Sequence, residues 1–243
     1  MPAGFQAFTD TGVFQIDGES VNFGFRQHAV CTTSDGGAGF NTLYPVATQL
    51  TFAAQSPIVA IYAPGEAVAL LACKENGDGT WTATFCSPVA TSFDVYIFDA
   101  MSACPPSGSR CGLQAFNSQG VLIADSAIPF LKVLGAGSGD LNVPPSSTAM
   151  QGGGTYTQQW TFGVARAATV VGVTATAYAA QGLTNPSQRL GKVMTMMSAW
   201  RHAGGVVSMA AVYSTSRVIP LSNPILTWRY TQWSGIFVDV SNL

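Results

Sequence analysis

Ionised side chains are scarce in this sequence. Asp, Glu, Lys and Arg supply 9% of its 243 residues, against roughly 25% in an ordinary soluble chain, while the apolar share stands at 47%. Gly, Ser, Thr, Asn and Gln take the surface role that Lys and Glu usually fill. Such a surface repels copies of itself poorly, which suits a chain held in a permanent assembly. Histidine occurs twice, as His28 and His202. Gly-x-Ser-x-Gly and His-Glu-x-x-His are both missing, so neither histidine lies in a nucleophile or metal motif. Both are read as surface or capping residues, and no catalytic residue is assigned. Long apolar runs are absent too: residues 58–73 are broken by Pro64, Gly65 and Glu66, and residues 164–180 contain Arg166. Neither window spans a bilayer. Residues 1–10 have no basic start and no apolar stretch, so no secretory leader is expected.

The charge that exists is unevenly placed. Residues 1–103 carry two bases against nine acids, and residues 104–243 carry eight bases against three acids. Halves of opposite sign dock on each other, fix the polarity of neighbouring subunits, or simply face different solvents. The bases form no run or stripe, which argues against nucleic acid as a partner.

An internal repeat organises the chain. Gly4-Phe5-Gln6-Ala7-Phe8 returns as Gly112-Leu113-Gln114-Ala115-Phe116, and at the same offset of 108 Gly12-Val13 returns as Gly120-Val121 and Asp17 as Asp125. The apolar periodicity is two throughout. Val171, Val173, Ala175 and Ala177 alternate with smaller or polar residues, as do Leu226, Trp228 and Tyr230. Phe93, Val95 and Ile97 share a face near the end of the first copy, and Ile236, Val238 and Val240 do so in the second. Turn signals such as Asn76-Gly77-Asp78-Gly79 separate the runs. The expectation is all-β: two tandem, related β-sandwich domains from an internal duplication, at residues 1–103 and 104–243. Each copy opens with a hairpin, turning at residues 9–12 and 117–120. Residues 190–200 are read as strand. Residues 135–154 are read as a long loop inserted in the second copy only.

The second copy's opening, from Gly112 through Val121 to Asp125-Ser126, continues into Pro129-Phe130-Leu131-Lys132-Val133. It resembles the start of small tail-tip and tail-fibre (baseplate) proteins of long-tailed bacteriophages. There a Gly-Leu-Gln-aromatic segment, an Asn-x-x-Gly turn and an Asp-Ser pair form a first hairpin. The match is full in the second copy and partial in the first, where Gly18 follows Asp17. The resemblance implies a non-enzymatic structural protein of a tail tip, baseplate or fibre, contributing to host attachment and assembled in the host cytoplasm into the virion. The partners it implies are other tail proteins and a host surface receptor; a homotrimer is expected by analogy with assemblies around a tail axis. A carbohydrate-binding module and a glycan-cleaving tail enzyme are the alternatives. The second needs paired acids in a cleft, whereas most acids here fall in turns.

Five cysteines, Cys31, Cys73, Cys86, Cys104 and Cys111, contain no Cys-x-x-Cys. Three readings stand: a Cys104–Cys111 disulfide closing the 101–110 linker outside the reducing cytosol, an iron–sulfur cluster held by four thiolates, or small buried residues. The last is preferred for Cys31, Cys73 and Cys86, and no cofactor is expected. Among the aromatics, Trp228 and Tyr230 are assigned to the core. Trp233, beside Ser234-Gly235, is the candidate surface contact. Met194, Met196 and Met197 are assigned to core packing.

Overall fold

The computed structural model describes residues 6–8, 14–17, 22–35, 46–108, 111–141, 156–182, 190–220 and 227–243. Among them the chain is strand and turn, with one 3-10 turn at Met101–Ala103 and no α-helix. The residue-by-residue alternation leaves little choice, since a period of two buries one face of a strand and not of a helix. The methionine-rich stretch is strand, within β16.

Six antiparallel strands form the central sheet, in the order β12 (Val133–Asp140), β19 (Gln232–Asp239), β14 (Ala167–Val173), β6 (Ile58–Tyr62), β9 (Ser92–Ala100), β3 (Phe23–Thr32). Three come from each half of the chain, and β6 joins β14 through Ile61 opposite Thr169 and Ala60 opposite Val170. The two edge strands are not left apart. Residues 129–131, which lead into β12, pair with β3: Gly24 lies opposite Phe130, Phe25 N–H donates to Pro129 O at 2.7 Å, and Leu131 N–H to Phe23 O at 2.9 Å. The sheet therefore curls until one end meets itself, in the manner of a barrel. Tyr96, Phe98, Ala60, Val238 and Val240 fill the inside of the curl, with Phe23, Phe25 and Leu131 from the closing strands packed on them.

The opposite face is covered by two further sheets. One is β4 (Ser34–Asp35), β5 (Val46–Ala53), β8 (Thr80–Cys86) and β7 (Ala69–Glu75). It traps Phe52, Phe85, Phe93, Val95 and Ile97 against the first-half strands. The other is β13 (Tyr156–Thr161), β17 (Val206–Pro220), β16 (Leu190–Ala203), β15 (Thr176–Gly182) and β18 (Thr227–Tyr230). It traps Trp200, Val207, Met209, Trp233 and Phe237 against the second-half strands. Because β9 is covered on both sides, it loses the half-polar pattern of an exposed sheet. Val68 and Trp200 exchange two backbone bonds, of 3.0 and 2.9 Å, which tie the covering sheets together.

Two small hairpins complete the fold. In β1 (Gln6–Phe8) and β2 (Phe14–Asp17), Gln6 pairs with Asp17 and Ala7 with Ile16, with a bulge before Phe8. In β10 (Gln114–Phe116) and β11 (Leu122–Asp125), Gln114 pairs with Asp125 and Ala115 with Ala124, with a bulge before Phe116. A further pair of bulges, at Phe25/Gln27 in β3 and Val133/Gly135 in β12, falls at the same offset of 108.

Several expectations need correction. Residues 135–140 are not loop; they belong to β12, whose small residues Gly135, Gly137 and Gly139 lie against aromatic rings. Residues 142–154 of that expected loop, and the turn of the first hairpin, lie outside the described residues. Tyr230 is 44% exposed, not core, because β18 is the edge of its sheet. Trp228 and Met194 have side chains outside the described set. Met196 and Met197 are buried as expected.

Candidate functional site

The candidate polar centres are few. On the inner face of the curl, β9 places Asp94 between two partners. Its Oδ1 bonds His28 Nε2 from β3 at 2.8 Å, and its Oδ2 accepts from Arg166 Nη2, ahead of β14, at 2.6 Å. The Arg166 guanidinium also lies 4.3 Å from the ring centre of Tyr62, and His28 stacks on Tyr96 at 4.9 Å. One carboxylate thus serves an imidazole, a guanidinium and, through them, two phenol rings, linking both halves of the chain. The carboxylate is taken up by an imidazole and a guanidinium, so the cluster reads as a cross-strand tie.

The remaining described acids with resolved partners serve similar ends. Asp99 caps the backbone of Gln55, Ser56 and Ala100 and pairs with Arg26. Asp239 takes Lys132 and Ser241. Asp125 takes the Gln114 amide and Ala127 N–H, and these, the amide first, hold its carboxyl below the usual range. Asp78 caps Thr80 and Asp140 accepts from Thr231.

His202 departs from the surface role assigned to it. It is 1% exposed, on β16 where that strand leaves β15 and meets residue 63. Ala63 N–H donates to His202 Nδ1 at 2.9 Å, and His202 N–H returns to Ala63 O at 2.8 Å. Since Nδ1 accepts, the ring proton sits on Nε2 and donates to Thr169 Oγ1, 2.9 Å away. The neutral tautomer is fixed, and burial lowers its pKa to about 3. The sign follows from linkage: the unfolded chain takes up a proton near pH 6.5 and the folded one does not, so stability falls as pH drops below 6.5. Between pH 6.5 and 4 wild type should lose about 3 kcal/mol through this group. Urea unfolding at a series of pH values tests this. His202→Gln, which has no titration in that window, should show a flatter profile, and equal slopes would reject the buried-neutral assignment.

The sequence-assigned contact residues are also placed. Trp233 is 1% exposed and is no surface contact. The alternation of β19 sends it inward, where it meets Trp160 and Trp200 at 5.9 and 5.6 Å between ring centres. Cys104 and Cys111 are thiols, one buried and one exposed, and do not form a disulfide. Cys104 points into the fold, its Sγ 3.4 Å from Gly24 O. Cys31, Cys86 and Cys104 belong to three separate packing clusters, and no three metal-ligating side chains converge among the described residues. An iron–sulfur cluster does not fit this arrangement. Burial pushes the Cys31 thiol up to about 11, and Cys86 lies against Met197 Sδ.

What sequence reasoning missed is an exposed apolar set at two places on the fold. The β10–β11 hairpin presents Leu113, Phe116 and Val121, which are 61%, 55% and 41% exposed. On β12, β19 and β14, Ala136, Ser138, Val170, Gly172, Ser234 and Ile236 line a cavity of about 330 Å³, with Ile236 43% exposed. The repeated apolar letters of the hairpin were a signal for the first; only the curl of the sheet makes the second. No protein-family model, no curated protein and no solved structure matches this chain.

Proposed function

We propose that the chain is a non-enzymatic structural protein of the distal tail of a long-tailed bacteriophage. It is built from two related β-sandwich modules that arose by duplication and meet near residue 103. In this reading each module is one set of three central strands with its covering sheet, and the shared curl makes them a single stiff block. The chain assembles in the host cytoplasm as a homotrimer with other tail proteins and contributes to contact with a host surface receptor.

The observation that carries the reading is the hairpin used twice. Gln6 opposite Asp17 and Gln114 opposite Asp125 keep one register and one bulge at a constant spacing, on the residues that resemble the tail-protein opening. Support also comes from the low charge and from acids engaged in structural bonds. Purified chain examined by light scattering behind size exclusion should run as three chain masses. Antibody against it should label one end of the tail on particles released by a host carrying the gene. A monomer that binds glycans, with unlabelled particles, would replace this reading with the carbohydrate-binding one.

A further inference from the structure

We propose that Asn76 is a site of spontaneous modification: its side-chain amide is lost as ammonia through a cyclic imide with Gly77, and the carboxylate that replaces it unfastens the tip of the β7–β8 hairpin.

The chain contains one Asn-Gly pair, Asn76-Gly77, and the fold puts it in the turn between β7 and β8. Asn76 N–H donates to Thr80 O at 2.9 Å and closes the turn. Gly77 and Gly79 take φ angles of 84° and 81°, which glycine adopts without strain. Asn76, Gly77 and Asp78 are all exposed. Beyond its chain neighbours, no described atom lies within 4 Å of where a Cβ on Gly77 would stand. Water therefore reaches the Asn76 carboxamide, and no side chain hinders the nitrogen that must attack it. That nitrogen, the backbone N of Gly77, gives up its proton and bonds to Asn76 Cγ. The Cγ–Nδ2 bond breaks, and Nδ2 takes up a proton and leaves as ammonia. Water then opens the imide at either carbonyl. One opening gives an aspartyl side chain, and the other runs the backbone through the side-chain carbons. No oxidant, cofactor or partner is needed.

The amide that is lost belongs to a bonded network. Asn76 Nδ2 donates to Thr80 Oγ1 at 2.9 Å and to Thr82 Oγ1 at 3.0 Å, and Thr82 Oγ1 lies 3.1 Å from Thr51 Oγ1 on β5. The hydroxyl of Thr80 donates to Asp78 Oδ1 at 2.5 Å, beside the Thr80 N–H at 2.9 Å. These two bonds, the hydroxyl's first, hold the Asp78 carboxyl below its usual range. With its only proton committed to Asp78, Thr80 Oγ1 meets residue 76 as an acceptor. An amide suits that arrangement. A carboxylate has no proton to offer, so it faces a lone pair and, next to it, the charge of Asp78. Lys74 and Glu75 are the remaining charges on β5, β7 and β8; they offset each other and leave the new anion beside Asp78 unbalanced.

The test holds purified full-length chain at mildly alkaline pH and, in parallel, at mildly acidic pH, then maps its peptides by mass spectrometry. The peptide containing Asn76 should divide with time into aspartyl and isoaspartyl forms. It should do so faster in the alkaline sample, because the attacking nitrogen must lose a proton. Asn22 and Asn117, which precede Phe23 and Ser118, should stay amidated over the same period. Conversion at Asn76 no faster than at those two, or no faster at the higher pH, overturns the site. Amide exchange reads the consequence. In Asn76→Asp the N–H groups of residues 76 and 80 should exchange about fivefold faster than in wild type, the factor that one ordinary hydrogen bond is worth. The aged wild-type chain gives the same reading without a substitution. Exchange at this turn that stays unchanged in both overturns the unfastening.

Discussion

Gly235→Val should lower the unfolding midpoint by about 6–12 °C, from an overpacking cost of about 3 kcal/mol. A Cβ at this position would stand 2.9 Å from Trp200 Cζ2 and 3.0 Å from Thr169 Cγ2. Neither neighbour has room to retreat. Trp200 is enclosed by Trp160, Trp233 and Phe237, with ring centres 6.1, 5.6 and 5.8 Å away, and Thr169 is bonded to His202. The same device occurs twice more on β12, where a Cβ on Gly137 would lie 2.6 Å from Trp160 Cζ2 and one on Gly139 2.9 Å from Trp233 Cζ2. Gly137 is directly opposite Gly235 in the sheet. Three rigid indoles are thus accommodated by three missing side chains, which is how a central sheet can be glycine-rich and still well packed. Trp200→Phe should partly rescue Gly235→Val, giving a double-mutant cycle that is clearly non-additive. The rescue breaks no hydrogen bond to another described residue, because Trp200 Nε1 meets no acceptor among them. If thermal unfolding of Gly235→Val differed from wild type by less than about 0.5 kcal/mol, the size of an ordinary surface change, the slot description would be wrong.

That packing explains where the sequence was readable and where it was not. Alternation at Phe93, Val95 and Ile97 identifies β9 without a structure, since only a strand buries every second residue. The repeat at Gln6 and Gln114 likewise identifies two hairpins in one register. What alternation does not supply is which side of a strand meets a second layer. Trp233 next to Ser234-Gly235 reads as a turn residue because Ser and Gly favour turns, yet here Gly235 is small to admit Trp200. Residues 135–140 read as loop for the same reason, when their glycines are complements to rings on β13 and β19. His202 followed by Ala203-Gly204-Gly205 reads as an exposed strand end. Its burial depends on residue 63, far away in the chain, being brought alongside β16. The closure of the curl through Gly24 and Phe130 is equally non-local. Each miss falls where a distant segment decides the environment of a locally ambiguous residue.

Asp99→Ala should cost about 3–5 kcal/mol, the usual consequence of removing one member of a buried, hydrogen-bonded charge pair. Asp99 has no exposed surface. Its Oδ1 accepts Ser56 N–H at 2.8 Å and Ala100 N–H at 2.9 Å, and its Oδ2 accepts Gln55 N–H at 2.8 Å and Arg26 Nη1 at 3.2 Å. Truncation strands three backbone donors and leaves the guanidinium of Arg26, only 19% exposed, with Ala103 O as its remaining partner. Arg26 owes its position to the bulge at Phe25/Gln27, which turns one residue of β3 out of the ladder toward the 3-10 turn. The corresponding region of the second half supplies the control. There Asp239 pairs with Lys132 at 2.9 Å, but the lysine side chain is 66% exposed, and solvent screens most of such a pair's attraction. Lys132→Ala should therefore change stability by less than about 1 kcal/mol. Chemical denaturation of the two variants side by side compares the loss of a buried carboxylate that organises backbone with the loss of an exposed cation from a carboxylate that Ser241 still holds. A loss in Asp99→Ala no larger than that in Lys132→Ala would mean that the three backbone bonds to Asp99 contribute little.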